Sequence, residues 1–377
     1  MVLFSPENEK INRQGNRRPK ILVAPLGWGL GHATRCIPII RELQTRNCEV
    51  VIATGGLQRE LLTAEFPKLR FLQLDGYGVR YGNSAISTRL RLLSQVPRIL
   101  RWIRRERRWL RDLLDSERLD AIISDNRYGC HAIGLPCVLM THQLAMPSLF
   151  GKSVDGLLRR FLYRQIRHFS RCWIPDDPEP GSLAGRLSHP PLLPQVQISY
   201  VGPITRWDPC PKGPIRHPLL ILLSGPEPQR SLLEQILLGQ LEGLETPALL
   251  VRGLPGTHTL PNTPQRTLVY NHLPSGDLRQ LICASEWIVA RSGYSSIMDL
   301  LRLGKKCIAI PTPGQPEQEY LAEYLHERKW IFRATQKGFD LKRALREAQA
   351  FPYAWRAEQA SRLSEAVDDL LKSLASG

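Results

Sequence analysis

The chain has 377 residues, of which 42% are hydrophobic and 23% are charged, a composition typical of a folded globular protein. A single hydrophobic core stops growing at about 250 to 300 residues, so we expect two domains. Lys and Arg outnumber Asp and Glu by 51 to 35, a formal net charge of +16. This excess favours an anionic partner, whether nucleic acid, an acidic lipid surface or a phosphorylated substrate.

The first twenty residues lack the apolar stretch of a secretory signal, and no run of about 18 apolar residues follows. We therefore expect a cytoplasmic chain that does not span a membrane. The eight cysteines are scattered and form no CxxC pair. Their distribution favours buried free thiols over disulfides or a metal site, so no metal is expected.

After a polar tail over residues 1–18, short strand-like runs alternate with helical patterns over residues 19–203. The runs read "KILVAPLG", "CEVVIATGG", "RFLQLDG", "LDAIISDN", "PCVLMTHQ" and "RCWIPD". Helical patterns cover residues 33–46, 88–115 and 155–170. This alternation predicts βαβ units and a parallel, doubly wound sheet.

Residues 202–218, "GPITRWDPCPKGPIRHP", contain five prolines and two glycines. They interrupt both the strand-like and the helical patterns of the sequence. We interpret residues 204–217 as a linker. The strand and helix alternation then resumes, which predicts a second α/β domain over residues 218–336 and helices over residues 337–377. Open α/β sheets bind ligands at the carboxyl ends of their strands, so two such domains would face each other across one cleft.

The stretch "GWGLGH" lies where the first strand should pass into a helix, with Gly27, Gly29 and Gly31 preceding His32. Such a loop can hold an anion at a helix N-terminus. A dinucleotide site would need G-x-G-x-x-G, but position 32 is His. The next strand also ends without an acidic residue that could bind a ribose. A tight turn with a surface histidine is another interpretation. In the remaining one, His32 is a general base, oriented by Asp125 at the same edge of the sheet.

Residues 290–325, "ARSGYSSIMDLLRLGKKCIAIPTPGQPEQEYLAEYL", contain the most specific pattern of the second half. A strand ends in Arg-Ser-Gly, and a helix follows whose first two turns include Asp299. Backbone donors at a helix start can hold a diphosphate, and a carboxylate within two turns can accept ribose hydroxyls.

With these motifs the chain resembles the MurG-like branch of the GT-B glycosyltransferases from about Ile21 to Leu325. "GWGLGH" resembles the Gly-rich acceptor loop of that family, whose His follows the last Gly. The resemblance implies two Rossmann-like domains that face each other across a cleft, with C-terminal helices. It also implies transfer from a nucleotide sugar, with UDP as the expected nucleotide, and neither a metal nor another cofactor.

The resemblance also implies a set of donor-binding residues. Ser292 and Gly293 match the phosphate-side turn, Ser296 stands where the family has Thr, and Asp299 stands where it has a ribose-binding Glu. Gln318 matches a donor-contacting Gln. The other expected donor residues are Ser224, Gly225 and Glu319. Glu319 stands where the family frequently has a neutral polar residue, and in "LLSGPEPQ" prolines follow where the family often has Gly-Ser.

Residues 87–114, "STRLRLLSQVPRILRWIRRERRWLRDLL", form an arginine-rich stretch with interleaved aromatic residues. A helix of this character can lie in an anionic membrane interface. The residues expected there are Arg101, Trp102, Arg104, Arg105, Arg108 and Trp109. The alternatives are an ordinary solvated helix with extended arginines, or nucleic-acid binding, which no accompanying recognition motif favours.

These observations predict a hexosyl- or N-acetylhexosaminyltransferase whose acceptor is a lipid or lipid-linked glycan. We expect it to be cytoplasmic and peripheral to the inner face of the cell membrane. A UDP-sugar epimerase on the same fold is an alternative, since it would also cleave a bond to UDP. A non-catalytic nucleic-acid-binding or glycan-binding protein is another.

Overall fold

The computed structural model describes residues 17–79, 82, 84–145, 152–178, 182–354 and 361–375, so most of the predicted polar tail lies outside it. The described chain forms two all-parallel sheets, with the strand orders β3-β2-β1-β4-β5-β6-β7 and β10-β9-β8-β11-β12-β13. Each order reverses once, between β1 and β4 in the first sheet and between β8 and β11 in the second. The predicted class, two doubly wound α/β sheets, is confirmed.

In the first sheet, the apolar runs of the inner strands are buried on both faces, whereas the two edge strands are partly exposed. Its strands are β1 (Lys20–Pro25), β2 (Glu49–Thr54), β3 (Arg70–Gln73), β4 (Ala121–Asp125), β5 (Cys137–Met140), β6 (Arg171–Ile174) and β7 (Gln197–Tyr200). The helices between them are α1 (Leu30–Thr45), α2 (Gly56–Glu65), α3 (Ala85–Ser94), α4 (Val96–Ser116) and α5 (Lys152–Ile166).

The second sheet repeats this design with six strands. They are β8 (His217–Leu222), β9 (Ala248–Val251), β10 (Thr267–Tyr270), β11 (Ser285–Ala290), β12 (Lys306–Ala309) and β13 (Phe332–Arg333). Its helices are α6 (Gln229–Leu241), α7 (Ser275–Cys283), α8 (Tyr294–Arg302), α9 (Pro316–Glu327) and α10 (Leu341–Ala350). Apolar clusters cover both faces of each sheet.

The last described helix, α11 (Leu363–Ala375), returns to the first sheet. Leu363, Val367 and Leu370 are buried in the same cluster as residues of α1 and β1. Arg46 at the end of α1 donates to Asp368 across 2.5 Å. The last described helix therefore packs on the same domain as the first described strand.

The arginine-rich stretch contains two helices rather than the single helix expected over residues 88–115. α3 ends at Ser94, and α4 begins at Val96 with a proline in its first turn. Pro97 has no N–H to bond back to the preceding turn, so the hydrogen-bond ladder is interrupted there.

The expectation that all eight cysteines are free was wrong for two of them. Cys210 and Cys283 form a disulfide that joins the predicted linker to the end of α7. The spacing of the cysteines in the sequence could not reveal this pair. The two residues are 73 positions apart and meet only because the linker packs on the second domain. The other six cysteines are free and buried.

Within the described residues, no helix is both long enough and apolar enough to cross a membrane.

Candidate active site

The Gly-rich loop joins β1 to α1 at the point where the first sheet reverses its strand order. Gly29 has φ 78°, a backbone conformation that glycine adopts without strain. A Cβ on Gly27 would lie 2.6 Å from the Cα of Gly76, and one on Gly31 would lie 3.0 Å from Ser295 Oγ. At Gly27 and Gly31, the missing side chain therefore makes room for other parts of the protein, whereas Gly29 adjoins open space.

The first turn of α1 and the end of β4 bring His32 and Asp125 together. β1 and β4 are neighbours in the sheet, which places Asp125 opposite Pro25 and beside the Gly-rich loop. His32 Nδ1 lies 3.0 Å from Asp125 Oδ2. Asp125 is fully buried, whereas the His32 side chain remains 15% exposed. A partly open imidazole held by a buried carboxylate is an arrangement that can accept a proton from a hydroxyl group.

Arg35, one helical turn after His32, lies at the centre of this cluster. Its Nε donates to Asp125 Oδ2 across 2.7 Å, and its Nη2 donates to Asp125 Oδ1. Nη2 also lies 2.9 Å from His32 Nδ1, and Nη1 lies 3.1 Å from His142 Nδ1. The arginine therefore contacts the carboxylate and both histidines.

His142 extends the cluster to the second domain. It lies two residues after the end of β5, and its Nε2 lies 2.9 Å from Glu317 Oε1 at the start of α9. Gln143 Nε2 donates to the other oxygen of Glu317. The ring of Tyr294, at the start of α8, stacks on His142 with 4.1 Å between ring centroids. This cross-domain contact brings the starts of α8 and α9 next to His32 and Asp125.

The charges in the cluster set the protonation of its members. Burial by itself raises the pKa of Asp125, but Arg35 and His32 outweigh burial and lower this pKa to about 2. Burial lowers the pKa of His32 and Arg35 lowers it further, against the opposing effect of Asp125. Burial also raises the pKa of Glu317, yet His142, His32 and Arg35 bring it below its ordinary value. At neutral pH, Asp125 and Glu317 are carboxylates and His32 is an uncharged imidazole.

Ser292, Gly293, Gln318 and Glu319 lie together at the carboxyl edge of the second sheet. Ser292 Oγ donates to the Gln318 carbonyl across 2.8 Å. Gln318 Oε1 accepts from the backbone N–H of Thr312 across 2.9 Å. Glu319 Oε1 accepts from the backbone N–H of Gly314 across 2.7 Å. These side chains brace the loop between β12 and α9, and Gly293 immediately precedes α8.

Gly225, beyond the end of β8, faces the same loop, since a Cβ placed on it would lie 3.8 Å from Thr312 Oγ1. Ser224, next to it, is half-buried, as is Ser296 in the first turn of α8.

The structure places Asp299 apart from these loops, toward the linker. It is buried, and its Oδ2 accepts from Arg206 Nε across 3.3 Å. Arg206 in turn lies over the ring of Trp207, 4.0 Å from its centroid. Burial raises the pKa of Asp299, against the lowering effect of Arg206. A role for Asp299 in ribose binding therefore requires it to share its carboxylate with Arg206.

The predicted membrane residues of α4 divide between two environments. Arg101, Arg104, Arg105 and Arg108 are exposed. Trp102 and Trp109 are half-buried and pack inward, Trp102 against the cluster of Leu26, Tyr77 and Ile103 and Trp109 against the core of the first sheet. The exposed face of α4 is therefore cationic, and the tryptophans contribute to packing.

Sequence reasoning missed Arg35, His142 and Glu317. His142 could have been found because it follows a buried strand at the same edge as Asp125. Glu317 directly precedes Gln318 and Glu319 in "PGQPEQEY", the start of a predicted helix. Arg35 follows His32 by three positions and therefore lies on the same helical face. The described residues contain no group of three or more His, Cys, Asp or Glu side chains placed to hold a metal ion.

Comparison with known proteins shows to which class of protein this chain belongs. Residues 264–374 match the family described as glycosyltransferase family 28 C-terminal domain. An uncharacterised glycosyltransferase of Methanosarcina acetivorans is 24% identical over 337 residues, which cover 82% of this chain and 83% of that protein. The chain is a glycosyltransferase of the GT-B fold.

Two further similarities relate this glycosyltransferase to the MurG-like enzymes. A UDP-N-acetylglucosamine--N-acetylmuramyl-(pentapeptide) pyrophosphoryl-undecaprenol N-acetylglucosamine transferase of Synechococcus is 24% identical over 86% of this chain and 85% of that protein. The crystal structure of Acinetobacter baumannii MurG superimposes with a TM-score of 0.54 and 15% identity, covering 94% of this chain and all of that one. The resemblance inferred from the motifs is confirmed.

Proposed function

We propose that this glycosyltransferase moves a hexosyl or N-acetylhexosaminyl group from a UDP-sugar to a hydroxyl group of a lipid or lipid-linked glycan. The observation that carries the proposal is the pairing of His32 with Asp125 at the switch point of the first sheet, directly beside the start of α8. Ser295 Oγ at that helix start donates to the Gly31 carbonyl across 3.1 Å. The candidate base and the candidate diphosphate site are therefore close enough to act on one pair of substrates.

On the acceptor side, His32 acts as the general base. In the tautomer that donates Nδ1–H to Asp125, the Nε2 lone pair is free to take the proton of the acceptor hydroxyl. Within the described part of the chain, Nε2 makes no hydrogen bond. As the ring becomes an imidazolium, the buried Asp125 carboxylate stabilises the new charge, and the deprotonated oxygen attacks the anomeric carbon.

On the donor side, the departing nucleotide diphosphate needs positive potential. The backbone N–H groups at the start of α8, around Ser292, Gly293 and Ser296, supply it without a metal. Ser224 and Gly225 approach from the loop after β8. Gln318 and Glu319 hold the loop that closes the site, and Asp299 with Arg206 marks its ribose end.

The membrane part of the proposal rests on α4 and on one relative. A row of exposed arginines favours binding to anionic lipid headgroups. The Synechococcus relative is by its name an enzyme that acts on a pyrophosphoryl-undecaprenol compound. An acceptor of that lipid-linked kind would bring the enzyme to the inner face of the cell membrane as a peripheral cytoplasmic protein.

The experiment that tests this function has two stages. Thermal-shift screening of UDP, dTDP and their sugar derivatives should give the largest stabilisation with a UDP-sugar, because a ligand that binds only the folded state raises its apparent stability. Turnover is then measured with that nucleotide sugar, with and without a membrane lipid extract. Release of UDP that requires the lipid, together with transfer of the labelled sugar to the lipid, supports the proposal. Conversion of the sugar without any acceptor would establish an epimerase, and an absence of turnover would leave a binding protein.

A further inference from the structure

The proposed mechanism does not use Arg35, although this side chain contacts the candidate base and two of the titratable groups beside it. It is 2% exposed and spans Asp125, His32 and His142. A guanidinium is always protonated and has only donors, so any atom that forms a hydrogen bond with it must be the acceptor. This constraint determines the state of its neighbours.

For His142 the constraint selects one tautomer. Nδ1 accepts from Arg35 Nη1 across 3.1 Å, so the ring proton belongs on Nε2, which donates to Glu317 Oε1 across 2.9 Å. A doubly protonated ring would direct an N–H at the guanidinium. His142 is therefore a neutral link between the arginine of the first domain and the carboxylate of the second.

For His32 the constraint creates a competition at Nδ1. Asp125 Oδ2, at 3.0 Å, requires a proton on this nitrogen, whereas Arg35 Nη2, at 2.9 Å, requires a lone pair there. Only the first arrangement leaves Nε2 free to act as a base. Arg35 also occupies both oxygens of Asp125.

We propose that Arg35 is a positioning residue that holds the rings of both histidines, selects the tautomer of His142 and opposes protonation of His32. The titratable groups that face Arg35 and His32 include Cys36, Asp125, Tyr128, His142, Tyr294 and Glu317. Within this cluster, Arg35 is the permanently charged cation. Its fixed charge opposes protonation of His32, while the shared Asp125 favours it. The inference deepens the proposed function, because it concerns the base assigned there.

The first test needs no substrate. In protein labelled with ¹³C and ¹⁵N at histidine, the ring resonances of His32 and His142 are assigned by comparison with His32→Gln and His142→Gln variants and followed against pH. In the parent protein, His142 should show the neutral tautomer protonated at Nε2. A His142 ring protonated at Nδ1 in the folded parent would overturn the proposal without any change to Arg35.

The variants then separate charge from structure. In Arg35→Gln the pKa of His32 should rise by about one to three units, since that is the usual effect of a neighbouring charge. Arg35→Lys retains the charge and should leave this pKa near the parent value, as should Arg41→Gln at an exposed position of the same helix. An unchanged His32 titration in folded Arg35→Gln would exclude the charge effect. A structural role alone would lower the melting temperature without moving the titration.

Turnover distinguishes this inference from the proposed function. If His32→Ala keeps the parent rate, the base assignment fails, whereas the NMR result still decides the role of Arg35. If turnover depends on His32, the acid limb of its pH profile should move upward in Arg35→Gln and remain in place in Arg35→Lys. If the acid limb of the pH profile moves in neither variant although both variants are folded, the inference is rejected and the proposed function is unaffected.

Discussion

His32 is the side chain whose replacement should affect the reaction most specifically. General-base assistance contributes on the order of 100- to 10,000-fold, so His32→Ala should lower turnover by that factor. The affinity for UDP should barely change, because the loops proposed to bind the donor belong to the second domain. Turnover assays and UDP calorimetry on the same preparation check both expectations. A folded variant with the parent rate would show that the histidine only lines the turn, and attention would pass to Asp125.

Asp125→Asn should produce a smaller loss of turnover than His32→Ala. The amide keeps the shape of the carboxylate but lacks its charge, so it cannot stabilise an imidazolium. The variant therefore misorients and weakens the base but does not remove it. Parallel turnover assays of both variants test this order. A loss in Asp125→Asn larger than in His32→Ala would indicate that Asp125 acts on the substrate directly or that Arg35, left without its carboxylate, disturbs the fold.

The pH dependence of turnover should report the same histidine. As a base, His32 is active when uncharged, so the rate should fall as the pH drops through its pKa. Burial and Arg35 place that pKa below the ordinary value of 6.5. Asp125, with a pKa of about 2, remains ionised throughout. A profile of kcat against pH should therefore have an acid midpoint below 6.5, and a midpoint above this value would contradict the assignment.

Asp299 should contribute to donor binding more than to the bound reaction. Hydrogen bonds to a charged group contribute about 1.5 to 3 kcal/mol, so Asp299→Ala should weaken UDP binding about tenfold or more. Calorimetry measures this. Because Asp299 also pairs with Arg206, the variant Arg206→Gln is the matched control, since it removes the ion pair and keeps the carboxylate. Equal losses in both variants would assign the effect to the linker contact rather than to the nucleotide.

At the scale of the element, α4 is expected to act through its exposed cations. Each basic residue near an anionic surface is worth about 1 kcal/mol, so replacing Arg101, Arg104, Arg105 and Arg108 with Gln should release the protein from anionic vesicles. UDP binding should remain intact. Co-sedimentation with phosphatidylglycerol vesicles is the measurement.

The matched control for α4 removes four exposed cations of the second domain: Lys337, Lys342, Arg343 and Arg346. Both variants change the net charge equally, so only a local effect of α4 separates them. If the two variants are released to the same extent, the attraction arises from the net charge of the whole molecule. Retention of the α4 variant at the parent level would reject the membrane interpretation.

α4 also shows why an amphipathic pattern is an incomplete guide. Its arginines and tryptophans alternate along the sequence, but Trp102 and Trp109 pack inward while the arginines remain exposed. The inward face carries Glu106, which is fully buried and pairs with Arg127 across 2.8 Å. This ion pair ties the helix to the loop that follows Asp125. No periodicity in the sequence could have assigned that partner.

At the scale of the whole molecule, the return of α11 to the first domain should matter for stability. Leu370 is fully buried in the first core, so Leu370→Ala should lower the free energy of unfolding by about 2 to 5 kcal/mol. Lys372→Ala, at an exposed position of the same helix, should have little effect. Urea unfolding of both variants tests this difference. Equal stability of both variants would show that α11 is not part of the first core.

Much of the fold and the central pair of the candidate site could be predicted from the residues alone. Buried strands that alternate with helical patterns require parallel sheets, and parallel strands bring their carboxyl ends to one edge. His32 follows the first such strand and Asp125 ends a later one, so their meeting follows from the order of strands. The positions of Ser292 and Gly293, the proposed donor residues, at the carboxyl edge of the second sheet follow from the same rule.

The remaining contacts depend on how distant segments and the two domains pack. His142 and Glu317 are 175 positions apart, and Cys210 and Cys283 are 73 positions apart. A local pattern encodes the face of a helix or strand but not the partner of a polar group on another domain. The role of Arg35 illustrates this limit. The spacing in the sequence predicts that Arg35 lies on the same face of α1 as His32. Its contacts with the two histidines depend on the tertiary packing of β4, β5 and α9 around one cleft.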